Sequence, residues 1–146
     1  MDDLRSWGIN LVRLGVMWEA VETSEGVYNL TYLDEVNKLI NKLGQKGIYT
    51  MVDFHQDVFA RRICGEGFPN FYAKNEDLLH HCTGVILPYI YYLFGLCKPM
   101  ADYGHRIDVD GNPYIEDCVK NNFVVYYSSP EANSAFDNLY SNKKGL

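Results

Sequence analysis

Two apolar runs of strand length lie on either side of a segment with helical periodicity. The first run, residues 9–17, reads INLVRLGVM, and the second, residues 48–54, reads IYTMVDF. Both are rich in β-branched and other apolar side chains and show little alternation with polar ones, which is typical of strands buried on both faces. We therefore predict two neighbouring strands of a parallel sheet.

The segment between the two runs predicts an amphipathic helix. Apolar side chains recur there at i, i+3, i+4 and i+7, the spacing of one helix face: Val36, Leu39, Ile40 and Leu43. Thr31 followed by Asp34 resembles a capping box, and Gly47 is placed to end the helix. Strand, helix and strand in this order predict a βαβ unit, and hence an α/β fold with a right-handed crossover.

The remaining segments are less regular. Residues 75–81 predict a short helix, residues 108–114 a turn, and residues 135–140 the opening of a further helix. Residues 83–97 form the most apolar segment, but it contains Pro88 and falls short of the roughly 20 residues that span a bilayer. We expect it to be a packed helix or a lid, and we expect no transmembrane helix.

Composition narrows the classes of partner. The net charge of the 146 residues is −6, and Lys and Arg are scattered along the chain. We therefore expect no nucleic-acid partner, because phosphate backbones are bound by clustered basic residues. Twelve tyrosines suit both sugar stacking and ordinary half-buried packing. No signal peptide is visible, and both ends resemble interrupted helices, which predicts a piece of a longer domain.

Cysteines and one sequon favour the secretory route. The four cysteines form no CxxC pair, and three disulfide pairings remain open: Cys64, Cys82, Cys97 and Cys118. Residues 29–31, Asn-Leu-Thr, match the N-glycosylation sequon. Disulfides and glycans both belong to secreted or endomembrane proteins. We therefore expect a secreted, lysosomal or other endomembrane location for the whole protein.

Three titratable residues alternate at the end of the second strand: Asp53, His55 and Asp57. Residues two apart share one face of an extended strand. One interpretation is a metal-dependent hydrolase, because His and carboxylates bind zinc, iron or manganese. No further ligands are recognisable, so we expect no metal. In the plainer alternative, Asp53 is a strand-end carboxylate paired with a backbone amide or a basic group, and the other two bond locally.

Arg13 lies inside the first apolar strand. An isolated buried guanidinium is very costly, so we expect Arg13 to be paired with a carboxylate. The carboxyl ends of parallel strands meet at one edge of a sheet or barrel, where functional groups gather. Arg13 and His55 are therefore expected to meet there and to open onto a common cleft.

Residues 7–72 resemble the second and third βα units of glycoside hydrolase family 5, in particular its endoglycoceramidase-like branch. The resemblance is carried by the arginine-bearing strand and by four short motifs. These motifs are WEAVE at residues 18–22, GVY at 26–28, HQD at 55–57 and GEGFP at 65–69. Residues 97–140 resemble the branch more loosely.

The resemblance implies a (β/α)8 TIM barrel, of which this chain would supply about strands two and three with their helices. It also implies retaining hydrolysis by two glutamates. At the matching positions, Arg13 would support the nucleophile, and His55 would lie beside the sugar at the cleaved bond. Asp57 would contact sugar hydroxyls, while Trp18 and Glu19 would lie at the rim.

The chain departs from the family at the catalytic pair. Retaining hydrolysis needs two carboxyl groups about 5 to 5.5 Å apart, yet the Asn-Glu-Pro motif of the general acid is absent and the chain would end before strand four. Asn75-Glu76 follows strand three too closely to take that role, and Glu66 fits a turn or rim better than a general acid. Residues 1–146 are thus expected to be a partial catalytic domain, inactive alone.

The substrate implied is a glycolipid such as a glycosylceramide, or a related β-linked glycan, with no cofactor. The aromatic run at residues 89–94 would contact lipid at a membrane surface or pack on a neighbouring helix. Besides the metal-dependent hydrolase, one further alternative is a carbohydrate-binding remnant that has lost its catalytic carboxylates.

Overall fold

The computed structural model of the protein describes residues 1–73 and 97–142. They belong to two compact units, Met1–His55 and Gln56–Leu146. Each unit has its own buried side chains, so each is described by itself.

Several predicted features fall outside the described residues. They are the helix at residues 75–81, the apolar segment at 83–97 apart from Cys97, Asn75-Glu76 and the aromatic run at 89–94. The lipid contact and the lid that were predicted there stay predictions.

The first unit contains the predicted βαβ unit. Its elements in chain order are α1 (Asp2–Ser6), β1 (Leu11–Gly15), α2 (Trp18–Val21), β2 (Glu22–Ser24), β3 (Val27–Tyr28), α3 (Leu30–Gln45) and β4 (Tyr49–Asp53). Strand β1 pairs with β4 in parallel, from Leu11 opposite Tyr49 to Gly15 opposite Asp53. Helix α3 forms the crossover between them, so the α/β class and the parallel pairing are confirmed.

Helix α3 begins earlier than the capping box predicted. The side-chain oxygen of Asn29 accepts a hydrogen bond from the Tyr32 backbone N–H at 3.0 Å. Asn29 is therefore the N-cap, and the prediction of Thr31 with Asp34 is wrong, because asparagine two residues upstream is already one of the strongest capping residues. The end is as predicted, since Gly47 has a left-handed φ of 69° just beyond the helix.

The strands are more exposed than predicted. Leu11, Met51 and Val52 are 55%, 51% and 53% exposed, so burial on both faces is wrong for this chain. Within the described residues, β1 and β4 form a sheet of two strands, and two strands offer few neighbours to cover their side chains. The buried side chains of this unit are Val16, Val21, Glu22, Leu43 and Ile48.

A short helix and a hairpin lie between β1 and α3. Helix α2 runs into β2, which pairs with β3 in antiparallel register with Glu22 opposite Tyr28. Gly26, with a φ of 74°, supplies the positive φ that the turn requires. Elements of two to four residues are too short to show a periodic pattern, so the sequence did not predict them.

The second unit has only helices as named elements within its described residues. It contains 3-10 helices at Arg61–Ile63 and Met100–Tyr103, and α-helices α4 (Ile115–Cys118), α5 (Val124–Tyr127) and α6 (Pro130–Tyr140). Phe59, Ile63 and Tyr126 are fully buried at its centre. Among the helices of the described residues, none has both the length and the apolar character that crossing a bilayer requires.

Helix α6 begins five residues before the predicted opening at Ala135. The Ser129 hydroxyl oxygen accepts a hydrogen bond from the Ala132 backbone N–H at 3.1 Å, and Pro130 takes the first helical position. Serine followed by proline is a strong start signal for a helix. The predicted start was therefore wrong, although residues 135–140 are helical as expected.

A disulfide and a turn stabilise the loops of this unit. Cys64 is bonded to Cys118, and no cysteine within the described ranges is a free thiol. The predicted turn at residues 108–114 is confirmed: the Asp108 carboxylate accepts from the backbone N–H groups of Asp110 and Asn112 at 3.0 and 2.8 Å. These amides hold the pKa of Asp108 below its usual range.

Candidate active site

Arg13, Asp53 and His55 meet at the carboxyl end of the parallel strand pair. Arg13 Nη2 lies 2.7 Å from Asp53 Oδ2, and His55 Nδ1 lies 2.9 Å from the same oxygen. Arg13 Nη2 and His55 Nδ1 are 3.1 Å apart. The prediction that Arg13 and His55 emerge together from neighbouring strands is thus confirmed, and Asp53 is the carboxylate partner of Arg13.

The strand register explains this cluster. Asp53 lies opposite Gly15, the last residue of β1, and Arg13 lies two residues earlier on the same face of that strand. Gly15 has no side chain, so the long side chain of Arg13 can extend over it toward Asp53. His55 follows Asp53 by two residues and lies on its side, as the alternation predicted.

The shared oxygen fixes the proton on the imidazole ring. Asp53 as a carboxylate only accepts hydrogen bonds, so His55 Nδ1 must carry the hydrogen that is donated to Oδ2. Arg13 Nη2 donates to the same oxygen. Arg13 Nη2 and His55 Nδ1 are therefore both donors, and they lie close together because both bind Asp53 Oδ2. A neutral His55 therefore has its lone pair on Nε2.

The cluster is open to solvent in this chain. The Arg13 side chain is 58% exposed, against 23% for Asp53 and 27% for His55. The prediction that Arg13 is buried is therefore wrong, for the same reason that the strand faces are exposed. An ion pair this exposed contributes about 0 to 1 kcal/mol to stability, so the cluster is better explained by a role in a site than by stability.

Trp18 is the first residue of α2. Its ring packs edge-on against Phe54, with centroids 5.2 Å apart, and against Tyr28 at 6.2 Å. Its indole N–H donates to the Glu22 carboxylate at 2.7 Å, and Glu22 is only 1% exposed. Glu19 follows in the same helix and is partly exposed.

Glu22 is the residue that sequence reasoning missed in this unit. Its second carboxylate oxygen accepts from the Gly26 backbone N–H at 2.7 Å, so one buried carboxylate holds both Trp18 and the turn of the hairpin. The WEAVE motif contains this glutamate, but nothing in the spacing distinguished it from Glu19.

In the second unit, Asp57 is bound to the glycine-rich segment. Its backbone exchanges two hydrogen bonds with Glu66, of 3.0 and 2.7 Å, and the Tyr127 hydroxyl donates to its carboxylate at 3.4 Å. A Cβ atom at Gly65 would lie 2.3 Å from the Asp57 carbonyl oxygen. Glycine is therefore required at position 65 so that this segment can approach the backbone of Asp57 and Val58.

The residues after Asp57 have an unusual backbone. Val58 and Phe59 have φ values of 54° and 81°, a region that side-chain-bearing residues rarely adopt. Burial holds them in place, since both are at most 1% exposed. The Phe59 ring also stacks on Phe68 with centroids 4.5 Å apart. Such strain persists only where the surroundings impose it, and it is frequent near functional sites.

Comparison with known proteins gives these motifs a family. The family model of Cellulase (glycosyl hydrolase family 5) matches residues 1–82. An endoglycoceramidase of Cyanea nozakii is 33% identical over all of this chain and 26% of its own length. An endoglycoceramidase of Hydra vulgaris is also 33% identical, over all of this chain and 25% of its length. The chain thus spans about a quarter of these curated relatives.

A solved structure shows the same fold. Endo-glycoceramidase II from Rhodococcus sp., in complex with ganglioside GM3, superposes with a TM-score of 0.59 at 23% identity. The match covers 97% of this chain and 27% of that one. With the family model matching more than half of the chain, the chain belongs to glycosyl hydrolase family 5.

Proposed function

We propose that the whole protein is a retaining glycoside hydrolase that cleaves a glycolipid, such as a glycosylceramide, or a related β-linked glycan. The single observation that carries this proposal is the cluster of Arg13, Asp53 and His55 at the carboxyl end of β1 and β4. Functional groups of (β/α)8 barrels gather at that end of the strands. The names of the relatives, endoglycoceramidases, support the substrate class.

In this proposal the described residues assist two glutamates that lie elsewhere in the protein. One glutamate attacks the anomeric carbon while the other protonates the leaving oxygen, and water then hydrolyses the glycosyl-enzyme. Residues 1–146 would be the part of the catalytic domain with about the second and third βα units of a (β/α)8 barrel. By itself this part would be inactive.

Arg13 would hold the nucleophilic carboxylate ionised and in position. A guanidinium has five N–H donors in a planar fork, so it can hold Asp53 with Nη2 and still donate to a second carboxylate. Asp53 would then fix the orientation of Arg13. This division of roles differs from the simple pair that the sequence suggested.

His55 and Asp57 would orient the sugar, while Trp18 and Glu19 would form part of the rim. The Nδ1–H bond to Asp53 fixes the His55 ring, which supports a positioning role for its other nitrogen. The Trp18 indole N–H is taken by Glu22, so Trp18 would contact substrate with its ring and not with its polar atom.

The contacts of Asp53 argue against this carboxylate as a metal ligand. The Arg13 guanidinium lies 2.7 Å from the Oδ2 atom of Asp53. His55 Nδ1 is hydrogen-bonded to the same oxygen. A divalent cation bound there would be repelled by Arg13 and would displace both donors. The Cys64–Cys118 bond supports an oxidising compartment, and hence the secretory location.

Substitution of Arg13 and His55 in the full-length enzyme tests the proposal. We expect Arg13→Ala to lower kcat/KM for a fluorescent glycosylceramide about a hundredfold, because misplacing a catalytic group by about 1 Å costs that much. His55→Asn keeps a donor for Asp53 but lacks Nε2, so we expect a similar loss. Arg5→Ala is the matched control, since Arg5 is an exposed arginine of the same unit.

Two outcomes would contradict the proposal. If Arg13→Ala hydrolysed the substrate as fast as Arg5→Ala, the cluster would have no part in catalysis. If a chelator abolished the wild-type activity and a divalent metal restored it, the metal-dependent alternative would replace the glycosidase mechanism.

A further inference from the structure

The sequon at residues 29–31 coincides with the start of helix α3. Asn29-Leu30-Thr31 is the only Asn-x-Ser/Thr sequence in the chain, and Asn29 is the N-cap of α3. We propose that Asn29 carries an N-linked glycan on Nδ2 while its Oδ1 caps the helix. This inference is independent of the proposed function.

The two ends of the Asn29 amide are available for these two roles. Oδ1 accepts from the Tyr32 backbone N–H at 3.0 Å, which satisfies one of the free amides of the first helical turn. Within residues 1–73 and 97–142, Nδ2 donates to no partner. A glycosylated asparagine keeps its carbonyl oxygen, so attachment of a sugar leaves the cap intact.

The surroundings leave room for a glycan. Leu30, directly after Asn29, is 72% exposed, and Val27 and Tyr28 before it are 56% and 51% exposed. Thr31 is also exposed. A glycan on Asn29 would lie beside these apolar side chains and reduce their contact with other molecules, since exposed apolar patches promote association.

The covalent step is a transfer of an oligosaccharide from a lipid-pyrophosphate donor. The bond between the anomeric carbon of the sugar and the pyrophosphate oxygen breaks, and the lipid pyrophosphate leaves with the electron pair. The Nδ2 atom forms a bond to that carbon and loses one proton to a base of the transferase. The side chain ends as a neutral secondary amide.

Transfer must precede the folding of α3. Thr31, whose hydroxyl completes the sequon, lies in the first turn of the helix, and Asn29 is already engaged with Tyr32 in the folded chain. A transferase that reads three consecutive residues therefore needs the unfolded segment. Such transfer takes place in the secretory route, and the Cys64–Cys118 disulfide indicates the same oxidising compartment.

Expression of the full-length protein through the secretory route of a eukaryotic cell tests the inference. We expect peptide:N-glycosidase to increase its gel mobility and to leave an aspartate at position 29 that peptide mass spectrometry detects. Thr31→Ala removes the sequon and keeps the cap, and Asn29→Asp keeps a capping oxygen but lacks the acceptor nitrogen. Both variants should lose the glycan, whereas Thr31→Ser should keep it.

Asn37→Gln is the matched control, because Asn37 is an exposed asparagine of the same helix outside any sequon. Its mobility shift should equal that of the wild type. An unmodified Asn29 in the secreted wild-type protein would overturn the inference. A glycan retained by Asn29→Asp would also overturn it, because that variant has no acceptor nitrogen at position 29.

Discussion

At the scale of single residues, His105 shows how burial and hydrogen bonding act on one side chain. Tyr126 is fully buried, and its hydroxyl donates to the Cys118 carbonyl at 2.8 Å. His105 Nε2, 3.1 Å from that hydroxyl, must therefore be the donor in their bond. Both the neutral and the protonated imidazole of His105 can donate this hydrogen bond from Nε2. The bond therefore does not favour the neutral form over the protonated form.

Burial lowers the pKa of His105 below its ordinary value of 6.5. We therefore predict that the free energy of unfolding decreases as the pH falls below 6.5. The unfolded chain takes up a proton near pH 6.5 that the folded chain resists. The contribution of His105 is therefore present above that pH and is lost as the pH falls toward the lowered pKa. Urea unfolding midpoints measured over this range should fall less steeply in His105→Gln, which keeps a donor for Tyr126 but does not titrate.

Tyr126→Phe separates burial from hydrogen bonding. It should destabilise the protein by about 1 to 3 kcal/mol at every pH, because the Cys118 carbonyl loses its buried donor. The pH dependence should persist in this variant, since burial is its main cause. An unchanged slope in His105→Gln would show that other groups are responsible.

The candidate cluster shows which residues a sequence can place. Arg13 and His55 were predictable because parallel strands bring their carboxyl ends to one edge, and the plainer prediction that Asp53 pairs with a basic group is confirmed. The bond between Trp18 and Glu22 was not predictable, because it depends on a one-turn helix and a hairpin that show no periodicity.

At the scale of secondary-structure elements, the start of α3 depends on the Asn29 cap. We predict that Asn29→Ala lowers the free energy of unfolding by about 1 kcal/mol, because the Tyr32 amide loses its acceptor. Asn29→Asp should stay close to wild type, since a carboxylate is an equally good cap. Thermal or urea unfolding of protein made in bacteria measures this without any glycan.

Equal losses in the alanine and aspartate variants would contradict the capping role. That result would mean that the Asn29 side chain stabilises the protein through some contact other than its Oδ1 bond. Thr31→Ala is a suitable control, because Thr31 is exposed and is not the cap.

Element length decided which predictions succeeded. The 16 residues of α3 are enough to show the i, i+3, i+4, i+7 spacing of its apolar face, and each strand of the parallel pair lies in a long apolar run. Hairpin β2–β3 has strands of three and two residues, below the length at which alternation can be recognised. The error at α6 was different in kind, because the start of this helix at Ser129-Pro130 is a local signal that does not depend on element length.

At the scale of the whole molecule, the Cys64–Cys118 bond closes a long loop, with 54 residues of sequence separation. We predict that replacing both cysteines by serine lowers the free energy of unfolding by about 2 to 5 kcal/mol, chiefly because the unfolded chain gains freedom. Urea unfolding of oxidised wild type and of the double variant, both without reductant, measures the difference.

Two comparisons make this test specific. Each single serine variant should be no more stable than the double variant, because either one breaks the bond. If the double variant unfolded at the same urea concentration as the oxidised wild type, the bond would make no net contribution to stability.

The exposure of the strands could not be read from the sequence. The apolar composition of residues 9–17 is typical of a strand in a complete parallel sheet, in which helices and further strands cover both faces. The pair β1–β4 by itself offers no such cover, so Leu11, Met51 and Val52 are exposed. The pattern thus predicted strand identity and direction correctly and degree of burial incorrectly.

The position of the Cys64–Cys118 bond has a consequence for proteolysis. The two cysteines flank residues 65–117 in the chain, so a peptide bond cut anywhere between them would still leave both products joined through sulfur. Molecules processed there would keep their mass, apart from one added water, until a thiol reagent separated the halves. Such processing could therefore change the chain into two polypeptides without releasing either of them.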